Sequence, residues 1–355
     1  MKLGLGLGFG RNGGSGYWIL LGGSYGGSFN ETTGAAGVIG TATTNLGGSL
    51  TWSIVGGGDA DISINSSSGA VSSARAIYSG DSAAFTVQVT NGTLTVGFPF
   101  TATGTVSAYS AEATALFARF TSDPGTTRKG HIDTLITALK TAGTWAKLDA
   151  LYILAAHDSQ AACRNWITNS YNLTPNNSPT FTTDRGYTGN GSNATLSTGF
   201  IPSSASSPKY VQNSGTLGAW ALTTITGLNE YIIGSSTSNV AGFNPRSSVA
   251  NTLRGILNRT TAIENFSTNT TSAGLSILTR TASNATTYYQ NTTSKATSAN
   301  ASTGVPAVEI ILLGYNSTTS NHQIAVGFIG SGFNSTEVTD TYNALNTYLT
   351  AVGAV

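Results

Sequence analysis

The sequence predicts a mainly β protein in which a small β-sandwich and a larger one are joined by a short helical connector. Short apolar runs with period-two spacing recur along most of the chain, separated by turns rich in Gly, Ser and Asn. Only 9% of the residues are charged, whereas a typical soluble domain carries about 25%. Glycine, with 44 residues, and abundant Ser and Thr make up the share of the composition that charged residues usually have. This composition is typical of all-β proteins, because Thr fits the pleated sheet while Gly, Asn and Ser form the turns.

The charge and cysteine content exclude several classes of protein. Lys and Arg total 16 and Asp and Glu total 15, which leaves a net charge of +1. Because this small number of basic residues cannot neutralise a run of phosphates, we expect no nucleic-acid partner and no polybasic membrane attachment. No apolar stretch is long enough for membrane insertion. The only cysteine, Cys163, excludes a disulfide within the chain.

Residues 1–30 are predicted to form a glycine-rich leader. Bulky residues alternate with glycine and an apolar run follows, which indicates a strand with its large side chains on one face. Glycine weakens an isolated strand, so we expect the leader to gain order by pairing, for example with another subunit. The alternative is a flexible leader. The pattern lacks the Lys-Ser/Thr of a phosphate-binding loop, so no nucleotide or other cofactor is expected. The anchoring residues of this leader would be Leu3, Leu5, Leu7, Phe9 and Trp18.

Residues 31–108 carry short strand patterns at 50–54, 61–64, 84–90 and 93–102. Asn91-Gly92 between the last two is a strong hairpin signal. About 80 residues of this kind indicate a small β-sandwich. The runs Leu50-Thr-Trp-Ser-Ile and Phe85-Thr-Val-Gln-Val-Thr-Asn-Gly-Thr resemble bacterial or phage cadherin-like or Ig-like modules. The calcium sites of that family need clustered acids, and this stretch offers only Asp59, Asp61 and Asp81, so no calcium is expected.

Residues 109–166 break the β pattern and predict a helical connector. Apolar residues recur at i, i+3, i+4 and i+7 from Ala113 to Phe120 and again over 132–139. A third helix is predicted over 145–152 behind Thr144, and a fourth behind Asp158. His157-Asp158-Ser159 contains the residue types of a serine-hydrolase triad. Adjacent residues cannot supply that geometry, so Asp158 and Ser159 are interpreted as helix caps.

Residues 167–355 return to β character, with apolar runs near 220, 231, 275, 309 and 323. About 190 residues fit one double-sheet sandwich of the jelly-roll type better than two small domains. Near the end of the chain, Asn334 and Glu337 form a capping-box pattern. They predict a C-terminal helix that ends before Gly353.

Part of this region resembles a class of tailed-phage and prophage virion proteins. The likeness lies in Lys147-Leu-Asp-Ala-Leu-Tyr-Ile-Leu-Ala-Ala-His-Asp-Ser-Gln-Ala-Ala, in Asn165-Trp-Ile and in the terminal helix, and it covers roughly residues 130–355. Proteins of this class carry a concanavalin-like or laminin-G-like sandwich after a short helical lead-in. The resemblance implies a structural role at the virion surface, as a fibre, spike or capsid decoration. It further implies that the leader contacts other virion proteins and that the chain forms homo-oligomers, among which trimers are common.

The residues predict no catalytic site, so the chain is expected not to be an enzyme. A glycosidase needs two carboxylates facing each other across the scissile bond. The C-terminal domain has six acids and no Glu-x-Asp or Glu-x-Glu spacing, although distant acids can still meet in space. No histidine has a second one nearby, so no metal site is expected. The six acids are Asp184, Glu230, Glu264, Glu309, Glu337 and Asp340, and the three histidines are His131, His157 and His322.

Glycan binding is the function that this composition favours, because lectins use aromatic platforms together with amide and hydroxyl groups. Tyr288 and Tyr289 are the first choice, since consecutive strand residues point to opposite faces and one of them should be exposed. The competing interpretation is that strand aromatics face the core of the sandwich. The full set of candidates is Trp220, Tyr231, Tyr288, Tyr289 and Tyr315 for stacking, and Asn291 and Asn316 for hydrogen bonds.

The sequence-based hypothesis is therefore a structural virion protein of a tailed bacteriophage whose outward, lectin-like domain adheres to cell-surface glycans. Two alternatives stay open. A polysaccharide depolymerase would present paired acids in a groove. A bacterial surface adhesin would need an export signal, which the first residues do not show.

Overall fold

The structure, a computed structural model, describes residues 16–20, 26–31, 37–56, 61–74, 82–103, 109–225, 227–228, 230–235, 239–248, 250–260, 263–315 and 318–355. Contacts divide the chain into two compact units. The N-terminal unit comprises Met1–Ala113 and Gly125–Thr134, and the C-terminal unit comprises Thr114–Pro124 and Leu135–Val355. The prediction of a mainly β chain with sandwich sheets and a C-terminal helix is confirmed. The four segments predicted as domains stay predictions.

The N-terminal unit contains two antiparallel sheets. One has the strand order β1-β2-β3-β6-β5 and the other β4-β7-β8. Apolar side chains of both sheets, such as Ile39, Val71, Val87 and Phe98, form one core. The strands are β1 (Gly16–Leu20), β2 (Gly26–Glu31), β3 (Gly37–Thr44), β4 (Thr51–Gly56), β5 (Ile62–Ile64), β6 (Ala70–Ser73), β7 (Ser82–Thr90) and β8 (Thr95–Thr103).

The hairpin predicted at Asn91-Gly92 is confirmed. Strands β7 and β8 pair from Thr90 opposite Thr95 onwards. In the turn, Asn91 Oδ1 accepts hydrogen bonds from the backbone N–H groups of Thr93 (3.1 Å) and Leu94 (2.9 Å). Gly92 has a φ of +87°, which a glycine adopts without steric cost.

The predicted leader residues Leu3, Leu5, Leu7 and Phe9 lie outside the described residues, and so do Asp59 and Asp81, two of the three acids judged too few for a calcium site. The backbone of Trp18 lies in β1, opposite Ser28 of β2; its side chain is outside the described part. Residues 16–20 thus pair with a strand of the same chain. Asp61 forms an ion pair with His131, with 3.2 Å between Oδ2 and Nε2.

The connector contains helices α1 (Ala111–Phe117), α2 (Thr126–Thr141) and α3 (Ser159–Ala162). Asp158 caps α3 as predicted, because its side chain accepts a hydrogen bond from Ala161 N. The third predicted helix, over 145–152, is wrong. Trp145–Lys147 is a 3-10 turn, and Leu148–Ile153 is strand β9, which pairs with β25. This strand is buried on both faces, so it lacks the period-two alternation that distinguishes a strand from a helix in a short apolar run.

The C-terminal unit is built mainly from two large antiparallel sheets. The seven-stranded sheet has the order β10-β13-β22-β15-β16-β17-β18, and the eight-stranded sheet has the order β11-β12-β25-β14-β19-β20-β21 with β9 beside β25. Strands β23 and β24 form a small separate hairpin. Strands β10 to β17 are Thr174–Asn176, Thr180–Thr182, Gly186–Thr188, Thr195–Ser197, Gly215–Ala221, Ile233–Ser235, Val240–Asn244 and Thr252–Arg259. Strands β18 to β25 are Glu264–Thr268, Gly274–Ala282, Ala285–Gln290, Thr293–Ser298, Ile311–Leu312, Gly314–Tyr315, Thr318–Thr319 and Gln323–Gly330.

Helix α4 (Ser335–Ala351) lies on the eight-stranded sheet, where Tyr342 stacks on Trp220 of β14 with 5.4 Å between ring centroids. The predicted capping box is confirmed: Asn334 accepts from Glu337 N, and the Glu337 side chain accepts from Asn334 N. No helix in the described part of the chain is long and apolar enough to cross a bilayer.

Candidate functional site

The outer face of the seven-stranded sheet is defined by the alternation of side chains along its strands. Ile233 of β15, Phe243 of β16 and Leu253 of β17 belong to the core between the sheets. The residue that follows each of them along its strand therefore points away from the core. In this way Gly234, Asn244 and Arg254 are placed on the outer face.

Tyr315 lies over a floor made of two glycines on this face. Gly234 of β15 is directly opposite Gly242 of β16. A Cβ atom added to Gly234 would lie 2.8 Å from Tyr315 Cδ2, and one added to Gly242 would lie 3.1 Å from the same atom. The space that the Tyr315 ring occupies thus exists because both positions lack a side chain.

Tyr231 packs against Tyr315 and supports it. The two ring centroids are 4.6 Å apart and the ring planes are 24° apart. Tyr231 is only 2% exposed, whereas Tyr315 is partly exposed. Burial raises the pKa of Tyr231 to about 12, although the positive charge of Arg254 nearby acts in the opposite direction. The Tyr231 hydroxyl therefore stays neutral, and it has no hydrogen-bond partner among the described residues.

Arg254 lies close enough to Tyr231 for its charge to act on that hydroxyl, and Arg246 lies next to Gly227; the sequence analysis missed both. Arg254 Nη1 donates to the carbonyl oxygen of Leu228 at 3.2 Å, while its Nε is buried and has no partner among the described residues. The Nε of Arg246 is also buried and has no partner among the described residues. Within the described part of the chain, neither guanidinium forms an ion pair with a carboxylate. The only sequence signal for these residues was the presence of two arginines close together in a chain with few charges.

A loop beside the arginines is fixed by Asn244. This loop, here called the Leu228 loop, consists of the described residues among 222–232. Asn244 is fully buried, and its Nδ2 donates to the carbonyl oxygens of Gly227 (2.8 Å) and Leu228 (3.3 Å). Its Oδ1 accepts from the backbone N–H of Arg246 at 3.0 Å. Leu228 itself is 47% exposed.

A buried histidine fixes the same loop from the other side. His322 Nε2 lies 3.0 Å from Ser272 Oγ, and His322 Nδ1 lies 2.6 Å from Ser320 Oγ and 3.7 Å from Glu230 Oε2. Ser272 Oγ also accepts from the backbone N–H of Ile225 at 2.8 Å. Burial acts to raise the pKa of Glu230. The nearby His322 ring, the hydrogen bond from Asn321 N and the Ser320 hydroxyl together outweigh it and hold the pKa below its ordinary value.

This serine, histidine and glutamate are residue types of nucleophilic hydrolases. Here Ser272 and His322 have no exposed surface, so the contacts that the structure shows are those of a loop anchor. Sequence analysis missed the network because its members are separated by up to 92 positions. Within the described residues, no three His, Cys, Asp or Glu side chains lie close enough together to hold a metal ion.

The structure brings two of the predicted glycan-binding residues together, Tyr231 and Tyr315, and places the others elsewhere. Trp220 is 4% exposed beneath α4. Asn291 lies in the turn between β20 and β21, where its Oδ1 accepts from Leu275 N at 3.0 Å. Asn316 is outside the described residues.

The expectation that Tyr288 or Tyr289 is exposed is wrong. Tyr288 is fully buried in the core between the sheets, and Tyr289 on the opposite face is 8% exposed. The alternation of β20 is as predicted, but a strand between two others in a covered sheet is packed on both faces. Neither residue offers a stacking surface in this structure.

No protein-family model and no curated protein matches the chain. Domain 4 of AbnA, a GH43 extracellular arabinanase from Geobacillus stearothermophilus in complex with arabinotriose, is 15% identical with a TM-score of 0.41; the match covers 55% of this chain and 98% of that domain. A Trypanosoma rangeli sialidase in complex with 2,3-difluorosialic acid is 10% identical with a TM-score of 0.42, covering 96% of this chain and 64% of the sialidase. The binding domain of botulinum neurotoxin serotype D is 13% identical with a TM-score of 0.39, covering 59% and 53%.

The chain thus spans under two thirds of the sialidase. At these identities and TM-scores, the comparisons assign no ligand and no activity to the chain. One sequence-based prediction is nevertheless contradicted, namely that the chain is not an enzyme. The similar structures include sialidases and part of a glycoside hydrolase, so that exclusion is withdrawn.

Proposed function

We propose that the C-terminal unit is a carbohydrate-binding β-sandwich and that its binding surface is the outer face of the seven-stranded sheet around Tyr315. The observation that carries the proposal is a partly exposed tyrosine ring, packed on a second tyrosine above a floor of two glycines. A rigid aromatic face of this kind suits the apolar face of a sugar ring. Arg254 supplies N–H donors near the tyrosine pair for sugar oxygens.

The test is calorimetric titration of the full chain with a panel of bacterial surface oligosaccharides. We expect Tyr315→Ala to lose binding and Tyr315→Phe to keep most of it, because the ring and not the hydroxyl provides the platform. The matched control is Tyr342→Ala, which removes a partly exposed, stacked tyrosine from the opposite side of the unit. Absence of binding by the wild type, or an equal loss in the folded Tyr342→Ala variant, would overturn the proposal.

The same mixtures test the depolymerase alternative. An increase in reducing ends during incubation would show that the chain cleaves the glycan that it binds. Unchanged reducing ends together with tight binding would assign adhesion without cleavage. If the chain cleaves the glycan at this surface, a variant of Tyr315 would lose binding and cleavage together.

We further propose that this unit is the outward part of a structural virion protein of a tailed phage, as a fibre, spike or capsid decoration. The support is the sequence resemblance over roughly residues 130–355. In this setting the leader contacts other virion proteins and the chain forms homo-oligomers at the virion surface. Mass spectrometry of purified particles tests it. Recovery of the chain only from the bacterial envelope would contradict the virion setting and favour the surface adhesin.

A further inference from the structure

We propose that the site around Tyr315 selects a negatively charged sugar, whose carboxylate is held by Arg254. This inference rests on the proposed function and adds the class of glycan to it.

Arg254 differs from Arg259, Lys147 and Arg280 of the same unit. Arg259 forms an ion pair with Glu264, and Lys147 Nζ lies 2.6 Å from Glu337 Oε1. Arg280 donates to several backbone carbonyls, including those of Leu257 and Asn300. In contrast, Arg254 has one hydrogen bond to a described residue, the neutral carbonyl of Leu228. Among the described residues its charge has no carboxylate partner; Arg164 Nε is likewise buried without a partner there.

The remaining donors of Arg254 have the geometry that a carboxylate needs. Nη1 is occupied by the carbonyl oxygen of Leu228, whereas Nε has no partner among the described residues. Nε and Nη2 form one edge of the planar guanidinium, and this edge can donate two parallel hydrogen bonds to the two oxygens of a carboxylate. A buried donor without a partner destabilises the protein, and a ligand oxygen at this edge would satisfy it.

Arg254 lies near enough to the tyrosine pair for one sugar to stack on Tyr315 and place its carboxylate on the guanidinium. Arg254 is close enough to Tyr231 for its charge to influence the pKa of that hydroxyl, and Tyr231 is stacked on Tyr315. Because Nε is buried, the ligand reaches it when Leu228 moves aside. The Leu228 side chain is 47% exposed, and its carbonyl oxygen stays on Nη1, so the Nε and Nη2 edge is left for the carboxylate.

The experiment compares each oligosaccharide in two forms. The full chain is titrated with galacturonate, glucuronate and sialic-acid oligosaccharides, each as the free acid and as the neutral methyl ester. We expect the acid form of at least one sugar to bind at least tenfold more tightly than its ester at low salt. This preference should decline as the salt concentration rises, since a charge interaction is screened.

Variants assign the preference to Arg254. Arg254→Gln should abolish the difference between acid and ester, and Arg254→Lys should keep only part of it, because lysine retains the charge without the planar fork. The control is Lys295→Gln, which removes one exposed positive charge from β21 in the other sheet. Lys295→Gln should bind as the wild type does.

The outcomes separate the two proposals. If every sugar that binds does so equally well as acid and as ester, the inference is wrong while the proposed function stands. An acid preference that persists in folded Arg254→Gln would also overturn it. If no sugar binds in either form, and none binds in the wider panel, both proposals fail.

Discussion

At the scale of single residues, the candidate site depends on the absence of a side chain at Gly234. A Cβ atom there would lie 2.8 Å from Tyr315 Cδ2, so the tyrosine ring must move away from its floor. We expect Gly234→Ala to weaken glycan binding about three- to tenfold, since an aromatic contact contributes about 0.5–1.5 kcal/mol. Titration with the oligosaccharide that binds the wild type measures this.

The control for Gly234→Ala is Gly47→Ala in the N-terminal unit, because a Cβ at Gly47 meets nothing within 4 Å. It should leave binding unchanged. Equal affinity of the Gly234→Ala variant and the wild type would show that the position of the Tyr315 ring does not matter for the ligand.

Asn165 has a comparable role in stability. It is fully buried; its Oδ1 accepts from the N–H groups of Leu151 and Ile167, both at 3.1 Å, and its Nδ2 donates to the carbonyls of Asp149 (3.2 Å) and Ser170 (3.0 Å). Asn165→Ala leaves these groups without their partner. We expect urea unfolding to show a loss of about 2–4 kcal/mol in the free energy of unfolding.

The matched control is Asn343→Ala, on the exposed side of α4. There we expect a change within about 0.5 kcal/mol. Similar stability of the two variants would mean that the Asn165 hydrogen bonds do not hold β9 in place.

At the scale of elements, the Leu228 loop should respond to acid through Glu230. The pKa of Glu230 is lowered in the folded protein, since the nearby His322 ring, the hydrogen bond from Asn321 N and the Ser320 hydroxyl outweigh the effect of burial. A carboxyl group of this kind stabilises the fold above its ordinary pKa. The contribution is lost as the pH falls through the lower, folded value.

We therefore expect the wild type to lose stability more steeply than Glu230→Gln as the pH falls below about 4.5. Urea unfolding at a series of pH values from neutral to acid measures both. Asp340→Asn, which alters a carboxylate on α4 instead, should keep the steep loss of the wild type. Parallel curves for the wild type and Glu230→Gln would contradict the role given to this carboxylate.

Elements with a local signature were predicted correctly from the sequence. The Asn91-Gly92 hairpin, the Asp158 cap and the Asn334–Glu337 capping box each depend on residues within a few positions of one another. Strand β9 was assigned to a helix, because its identity depends on pairing with β25, far along the chain. Short buried runs lack a period, so only the partner strand decides between helix and strand.

At the scale of the whole molecule, the sequence predicted the class of fold and part of the candidate site. It named Tyr231 and Tyr315 but preferred Tyr288 and Tyr289, which the structure places on covered faces. Which face of a sheet remains open is set by the packing of α4 and of the second sheet, not by the strand pattern itself. The position of Arg254 opposite Asn244 likewise depends on the pairing of β16 with β17, which no local sequence pattern reveals.

The central claim is that the outer face of the seven-stranded sheet binds an acidic glycan at Tyr315. A crystal structure of the full chain with the oligosaccharide that binds most tightly tests it directly. We expect a sugar ring parallel to the Tyr315 ring, with its carboxylate on the Nε and Nη2 edge of Arg254. A sugar bound elsewhere on the protein, with Tyr315 uncovered, would contradict the claim.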